Sequence, residues 1–299
     1  MQPVFDLAFV GNYTRDTIVS EAGTRLVDGG AFNYGAHVGA QMGLRVAAIT
    51  RLAAEDWRVV EALARLGVEV YATPTAHSTC LRLEYPTANL DERVIYVTST
   101  AGTFAPADVI GVQARAFVIG PTLRGEVEPE LLAALSGKGA QVAVDVQGFV
   151  RVLRDGRLAY EDWPEKETVL PYIDIFKTDA VEAEMLTGQS DIHAAARMLA
   201  GWGADEIVLT HRSGLLVHAG GCFYEAGFGP AKPVGRSGRG DTCLAAYTAR
   251  RLSAPPAEAT VWAAAVTSLK MEAEGPFRRT VDEVEELIRQ RYMPQALAE

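Results

Sequence analysis

VGRSGRGDTCLAAY, residues 234–247, runs from a glycine-rich turn into an acid, Asp241, and on into a helix-compatible stretch, 242–252. Glycines just ahead of a helix let backbone N–H groups crowd around an anion, and the helix start adds about half a positive charge. An acid there has two readings. It is an N-cap after a flexible loop, or it takes a proton from a substrate hydroxyl while the amides hold a phosphoryl group.

Outward from this stretch the chain alternates. Apolar runs predict strands at 7–10, 45–49, 68–73, 116–120, 141–146, 173–176 and 206–210. Helical patterns fall between them at 31–42, 55–66, 129–135, 181–186 and 192–202, and two more follow at 257–273 and 281–292. Strands alternating with helices predict an α/β fold with a mainly parallel sheet covered on both faces. Two windows break the rhythm. Residues 79–85 and 93–98 alternate partially around a turn-rich connector at 86–92, which predicts a hairpin serving as a lid or a dimer contact. Residues 214–218 and 222–226 flank Gly220-Gly221, a second hairpin. No long linker, low-complexity tract or repeat divides the chain, so a single domain with an inserted lid is expected.

Ligands of open α/β sheets bind at the carboxyl ends of the strands. Asp16, after the first strand and Gly11, is therefore a candidate ligand contact. Gly29 and Gly30 make a tight turn into a helix of small residues, with Asn33 in its first turn offering a donor and an acceptor. Gln147 and Arg151 follow the 141–146 strand.

The bulk numbers exclude several classes. The 299 residues carry a net charge of -10, which disfavours a nucleic-acid backbone as a general partner. Cys80, Cys222 and Cys243 have neither CxxC nor metal spacing, as in a reducing cytoplasm. The first residues read as a strand and no stretch is long enough to span a bilayer, so neither export nor a membrane is expected. There is no P-loop, no HExxH, and no GxGxxG after the first strand. GRSGRG is not a nucleophile elbow, because Arg239 stands where the last glycine is needed.

In this order, the windows GNYTRD, GGAFNYGAHVGAQMGL, KTDAVEAEMLTG and GRSGRGD resemble the PfkB family of carbohydrate kinases, also called ribokinase-like. They supply Asp16; Gly29, Gly30 and Asn33; Asp179 and Glu182; and Gly238, Gly240 and Asp241. The resemblance implies a ribokinase-like fold with a small β lid from about 15–30 and 76–100, and ATP-dependent phosphorylation of a sugar or polyol hydroxyl. It makes Asp241 the base and Gly238, Arg239 and Gly240 the anion hole. It puts Asp16, Gly29, Gly30, Asn33, Gln147 and Arg151 on the acceptor, Lys177, Thr210 and Gly214 on the nucleotide, and Asp179 and Glu182 on Mg2+. It also implies a cytoplasmic enzyme and a homodimer paired through the lid. GNYTRD together with DVQGFVR is closer to the inositol-kinase-like branch than to ribokinase itself.

The sequence departs from the family pattern at several positions. Gly235 replaces an Asp associated with a monovalent-cation site, and Arg236 replaces a Thr. Arg239 replaces a small residue, its guanidinium either in solvent or on the phosphates. Asp179 replaces an Asn, and the turn from Thr210 to Gly214 is one residue short. The changes at 235, 236 and 239 also fit a non-catalytic, ligand-binding relative. A nicotinamide-dependent oxidoreductase on a doubly wound sheet is the third reading.

Overall fold

The computed structural model describes residues 4–21, 23–87, 93–235 and 237–292. Arg236 and most of the 86–92 connector, both singled out above, lie outside the described residues. The strands, in chain order, are β1 Val4–Val10, β2 Thr14–Ser20, β3 Gly23–Gly29, β4 Val46–Ala53, β5 Glu69–Thr75, β6 Thr79–Glu84, β7 Val94–Ser99, β8 Gln113–Ile119, β9 Gln141–Asp145, β10 Arg151–Arg154, β11 Arg157–Tyr160, β12 Ile175–Asp179, β13 Glu206–Thr210, β14 Gly214–Ala219 and β15 Cys222–Gly227.

Nine of them form the main sheet, in the order β15-β14-β13-β12-β9-β8-β1-β4-β5. From β5 across to β13 every neighbour is parallel, and β14 and β15 close one edge as an antiparallel hairpin. Side chains alternate between two cores. In β1, Leu7 and Phe9 pack on one face with the helices Ala31–Gln41, Arg239–Arg251 and Pro256–Met271. Ala8 and Val10 pack on the other with Leu131, Ala183 and Leu199 from three further helices. Such near-continuous apolar runs are what a sheet covered on both faces requires. This is a ribokinase-like α/β fold.

The order reverses at β1. The chain leaves it for β4 and β5 on one side and returns to β8, β9, β12 and β13 on the other. The carboxyl ends part at this switch point and leave a crevice. Glycines make the close approach there possible. A Cβ on Gly11 would lie 2.7 Å from the Gly120 carbonyl oxygen, and one on Gly120 would overlap the Ala31 Cβ at 2.0 Å.

A second sheet of six strands, in the order β10-β11-β7-β6-β2-β3, flanks that crevice. Leu81, Leu83, Ile95 and Val97 form a small core of their own, with Arg82 on the opposite face. The sequence reading treated residues 20–28 as a short polar stretch and gave no strand at 151–160. The structure pairs Thr14–Ser20 with Gly23–Gly29, and Arg151–Arg154 with Arg157–Tyr160. The second hairpin had a signal: Asp155-Gly156, both at positive φ (48° and 76°), is a tight-turn dipeptide between alternating strands.

Candidate active site

A cavity of about 420 Å3 opens where the strand ends of the main sheet face the second sheet. Apolar side chains of the second sheet, among them Ile18, Leu81, Leu83 and Ile95, line one wall. Polar residues from the main sheet and the 234–241 turn line the other.

The helix carrying the acid begins at Arg239, three residues earlier than the sequence suggested. Its N-cap is Gly238, at φ 71°, and no side chain caps it. Asp241 is therefore not an N-cap. It stands in the first turn, on the cavity wall, where its carboxylate meets the positive end of the helix. Loss of bulk water and the nearby Asp145 carboxylate push its pKa up to about 6, against the pull of Lys177, Arg151 and Lys270.

The glycines of this turn are fixed by contact. A Cβ on Gly238 would sit 2.3 Å from the Tyr34 ring, and one on Gly240 would sit 2.8 Å from Lys177 Nζ. Gly238→Ala is expected to cost about 1–2 kcal/mol for left-handed backbone and about 1–3 kcal/mol more for displacing the ring. Chemical unfolding measures the loss, and a variant as stable as the parent would contradict the packing described here.

Lys177 and Asp145 are opposite residues in the β12–β9 register, and their side chains form an ion pair at 2.9 Å. Both are almost fully buried (4 % and 2 % exposed), so the pair is shielded from water beneath Gly240. Burial alone would lower the Lys177 ammonium, but Asp145, Glu182 and Asp179 outweigh it and hold it above its usual range. Asp145 Oδ1 also accepts from the Gln147 backbone N–H at 3.0 Å.

Asp179 and Glu182 cap the helix Ala180–Thr187 reciprocally. Asp179 Oδ1 accepts from the Glu182 N–H at 2.8 Å, and Glu182 Oε2 accepts from the Asp179 N–H at 2.9 Å. Each carboxylate keeps its second oxygen, and both residues line the cavity beside Thr210. Burial pushes the Glu182 carboxyl above its usual range, against the attraction of Lys177. The guanidinium of Arg239 lies 5.7 Å from the Phe228 ring centroid, and the residue lines the cavity.

On the second-sheet side, Asp16 is drawn out of water and its pKa rises to about 6, with Thr14 and Arg151 opposing. Gly29 makes room for it: a Cβ there would lie 2.3 Å from Thr14 Oγ1 and 2.9 Å from Asp16 Oδ2. Gly30, at φ 97°, turns the chain into the helix Ala31–Gln41 against the Asn12 carbonyl. Arg151 is buried and donates to Tyr160 Oη at 3.2 Å.

The cavity thus gathers Asp16, Gly30, Gln147, Arg151, Lys177, Asp179, Glu182, Thr210, Gly238, Arg239, Gly240 and Asp241. Three candidates are not on its wall. Gly29 lies beneath Asp16. Asn33 is buried, donating to the Asp28 carbonyl at 3.3 Å, and Gly214 opens β14, its carbonyl accepting from the His211 N–H. The sequence reading passed over Tyr34, Arg93, Lys270 and Glu274, and gave Asp145, the acid of DVQGFVR, no role of its own. Asp145 had a signal, an acid closing a run of strand residues, and so had Lys270, a lysine amid the small and apolar residues of its helix.

Comparison with known proteins places the chain in a family. The model of the pfkB family of carbohydrate kinases matches residues 6–278. A pyrophosphate-dependent kinase of the ribokinase family, solved with sulfate, is 36% identical with a TM-score of 0.87, covering 93% of this chain and 99% of its own. Another such structure, in complex with a pyrophosphate analogue and myo-inositol, is 35% identical with a TM-score of 0.86, covering 94% and 99%. A cytidine kinase of Thermococcus kodakarensis is 28% identical over 270 residues, which is 86% of this chain and 92% of that protein. The acid in a helix's first turn, the glycine turn before it and the strand-end cavity thus sit on a chain that belongs to the pfkB family of carbohydrate kinases, and it is a phosphotransferase acting on a sugar or polyol.

Proposed function

We propose that the chain moves a phosphoryl group onto a hydroxyl of a cyclic polyol or related sugar, with Asp241 as the base. The observation that carries this reading is Asp241 itself, on the cavity wall in the first turn of a helix whose preceding glycines expose backbone amides. The carboxylate accepts the hydroxyl proton, and the amides at 238–241 stabilise charge on the phosphoryl oxygens. Asp16 and Arg151 orient the acceptor's hydroxyls, while the apolar wall of the second sheet covers its C–H face. That sheet acts as the lid and excludes competing water.

Two phosphoryl donors fit the family. ATP is the one the family resemblance implies. Inorganic pyrophosphate is supported by the relatives near 36% identity described as pyrophosphate-dependent and by the wall beyond the anion site. There Lys177, Asp179, Glu182, Thr210 and Arg239 are all polar. We favour pyrophosphate. Asp179 and Glu182 fit a magnesium ion, since each has an oxygen left over from the capping box, and magnesium binds through a few carboxylates plus phosphates and water. When bound, the ion supplies positive charge to the phosphate oxygens.

The test is a panel of inositols, sugars and nucleosides with each donor, reading phosphate release from pyrophosphate against ADP release from ATP. Ligand-induced stabilisation with no turnover from either donor would make the protein a binder instead. With Asp241 as base, kcat/KM climbs as pH rises through about 6 and levels off above it, because only the ionised carboxylate accepts the proton. A flat profile across that range would remove Asp241 from the role. The net charge of -10 keeps nucleic acid off the list of partners, and no helix among the described residues can cross a membrane. A cytoplasmic homodimer paired through the second sheet completes the proposal, and sedimentation in solution checks the dimer.

A further inference from the structure

Lys270 is a buried residue on the cavity wall, and its ammonium makes no hydrogen bond or ion pair among the described residues. It lies near the end of the helix Pro256–Met271, 3 % exposed, and its Nζ stands 5.6 Å from the centroid of the Tyr34 ring. That ring is the one against which Gly238 packs, and the Tyr34 hydroxyl is buried and unpartnered as well. The chain entering the glycine turn is tied to the same helix end: the N–H groups of Val234 and Gly235 both donate to the Met271 carbonyl, at 2.8 and 3.2 Å. Two unpartnered donors on adjacent elements therefore border the turn that precedes Asp241.

A buried cation with no partner is costly unless an anion comes to it. Its charged neighbours are Asp241, on the helix opposite, and Glu274, just beyond its own helix. Glu274 is engaged by Arg25 of β3, and Asp241 is reserved for the acceptor proton. What remains for Lys270 is the ligand. We propose that Lys270 is a phosphoryl contact, a tethered cation beside the glycine turn, with the Tyr34 hydroxyl as a second donor. The inference rests on the kinase reading.

Burial draws Lys270 down to about 8, with Asp241 and Glu274 opposing, so its charge is held at neutral pH and fades above. Calorimetry with inorganic pyrophosphate, and separately with ATP, tests the assignment on the whole chain at about pH 7 and about pH 9.5. Lys270→Met should weaken the binding of whichever ligand the parent takes by about tenfold at the lower pH. Lys270→Arg, charged at both, should hold its affinity where the parent loses it. In turnover, Lys270→Met should lower kcat about 10²-fold with a Tm no lower than the parent's, because the uncompensated charge is gone, and with partial recovery on adding methylammonium. Binding that Lys270→Met leaves unchanged, a Lys270→Arg variant that loses affinity at high pH just as the parent does, or no recovery with methylammonium overturns the inference alone. A parent that binds neither ligand sinks the kinase reading with it.

Discussion

Asp241→Asn lowers kcat by about 10³-fold, leaves the KM for donor and acceptor within a few-fold, and does not lower Tm. The size follows from removing a positioned base, which is typically worth about 10²–10⁴-fold. The amide keeps the shape of the carboxylate and its place in the first helical turn, so ground-state contacts persist. The stability sign follows from the raised pKa. An acid whose folded pKa lies above its unfolded value disfavours the folded state once ionised, fully so above about pH 6, and the penalty vanishes below the unfolded pKa. Asn removes that penalty at neutral pH. Steady-state kinetics with both donors, beside a thermal melt, gives the result. Full activity in the variant would return Asp241 to a purely structural role.

Lys177→Met destabilises the protein by about 3–5 kcal/mol, the cost of leaving a buried carboxylate without its cation. The pair is nearly dry on both sides, with side chains 5 % and 3 % exposed, and Glu182 leans on the same ammonium. Loss of the lysine therefore strands Asp145 and raises Glu182 further at once. Combining Lys177→Met with Asp145→Asn should recover a large part of the stability, because no uncompensated charge then remains. Denaturant unfolding of the two single variants and the double variant closes the cycle. Additive losses, with no recovery in the double, would mean that the pair does not hold the strand ends together. Activity separates the two variants further, since the double restores the fold and still lacks a cation beneath Gly240.

Where the chain reads as strand and helix was legible to the degree that periodicity carried it. Glu206–Thr210 and Pro129–Ser136 lie within a residue of expectation because an apolar run between turn residues has one solution in a doubly covered sheet. The start of the helix Arg239–Arg251 was misplaced because Gly238 and Gly240 on either side of Arg239 break the helical pattern. Their conformation is set by Tyr34 beneath Gly238 and Lys177 beneath Gly240, contacts made from distant parts of the chain. Periodicity gave no sign of the edge strand Gly23–Gly29, which only the family resemblance implied, for a related reason: it is mostly exposed, and the pairing of β2 with β3 gives it its form.

The sequence by itself determined the α/β alternation, the family, and the acids at the strand ends, because these are local: a periodicity, a glycine turn, a carboxylate at a fixed offset. Only the tertiary structure decided which of those side chains meet. It joined Asp145 to Lys177 across a β-ladder, put Lys270 over the Tyr34 ring, and drew Asn33 back to its own turn. The physical reason is that charge and burial depend on neighbours in space, and a pKa near 6 for Asp241 or 8 for Lys270 exists only once the two sheets and the helices between them have closed water out.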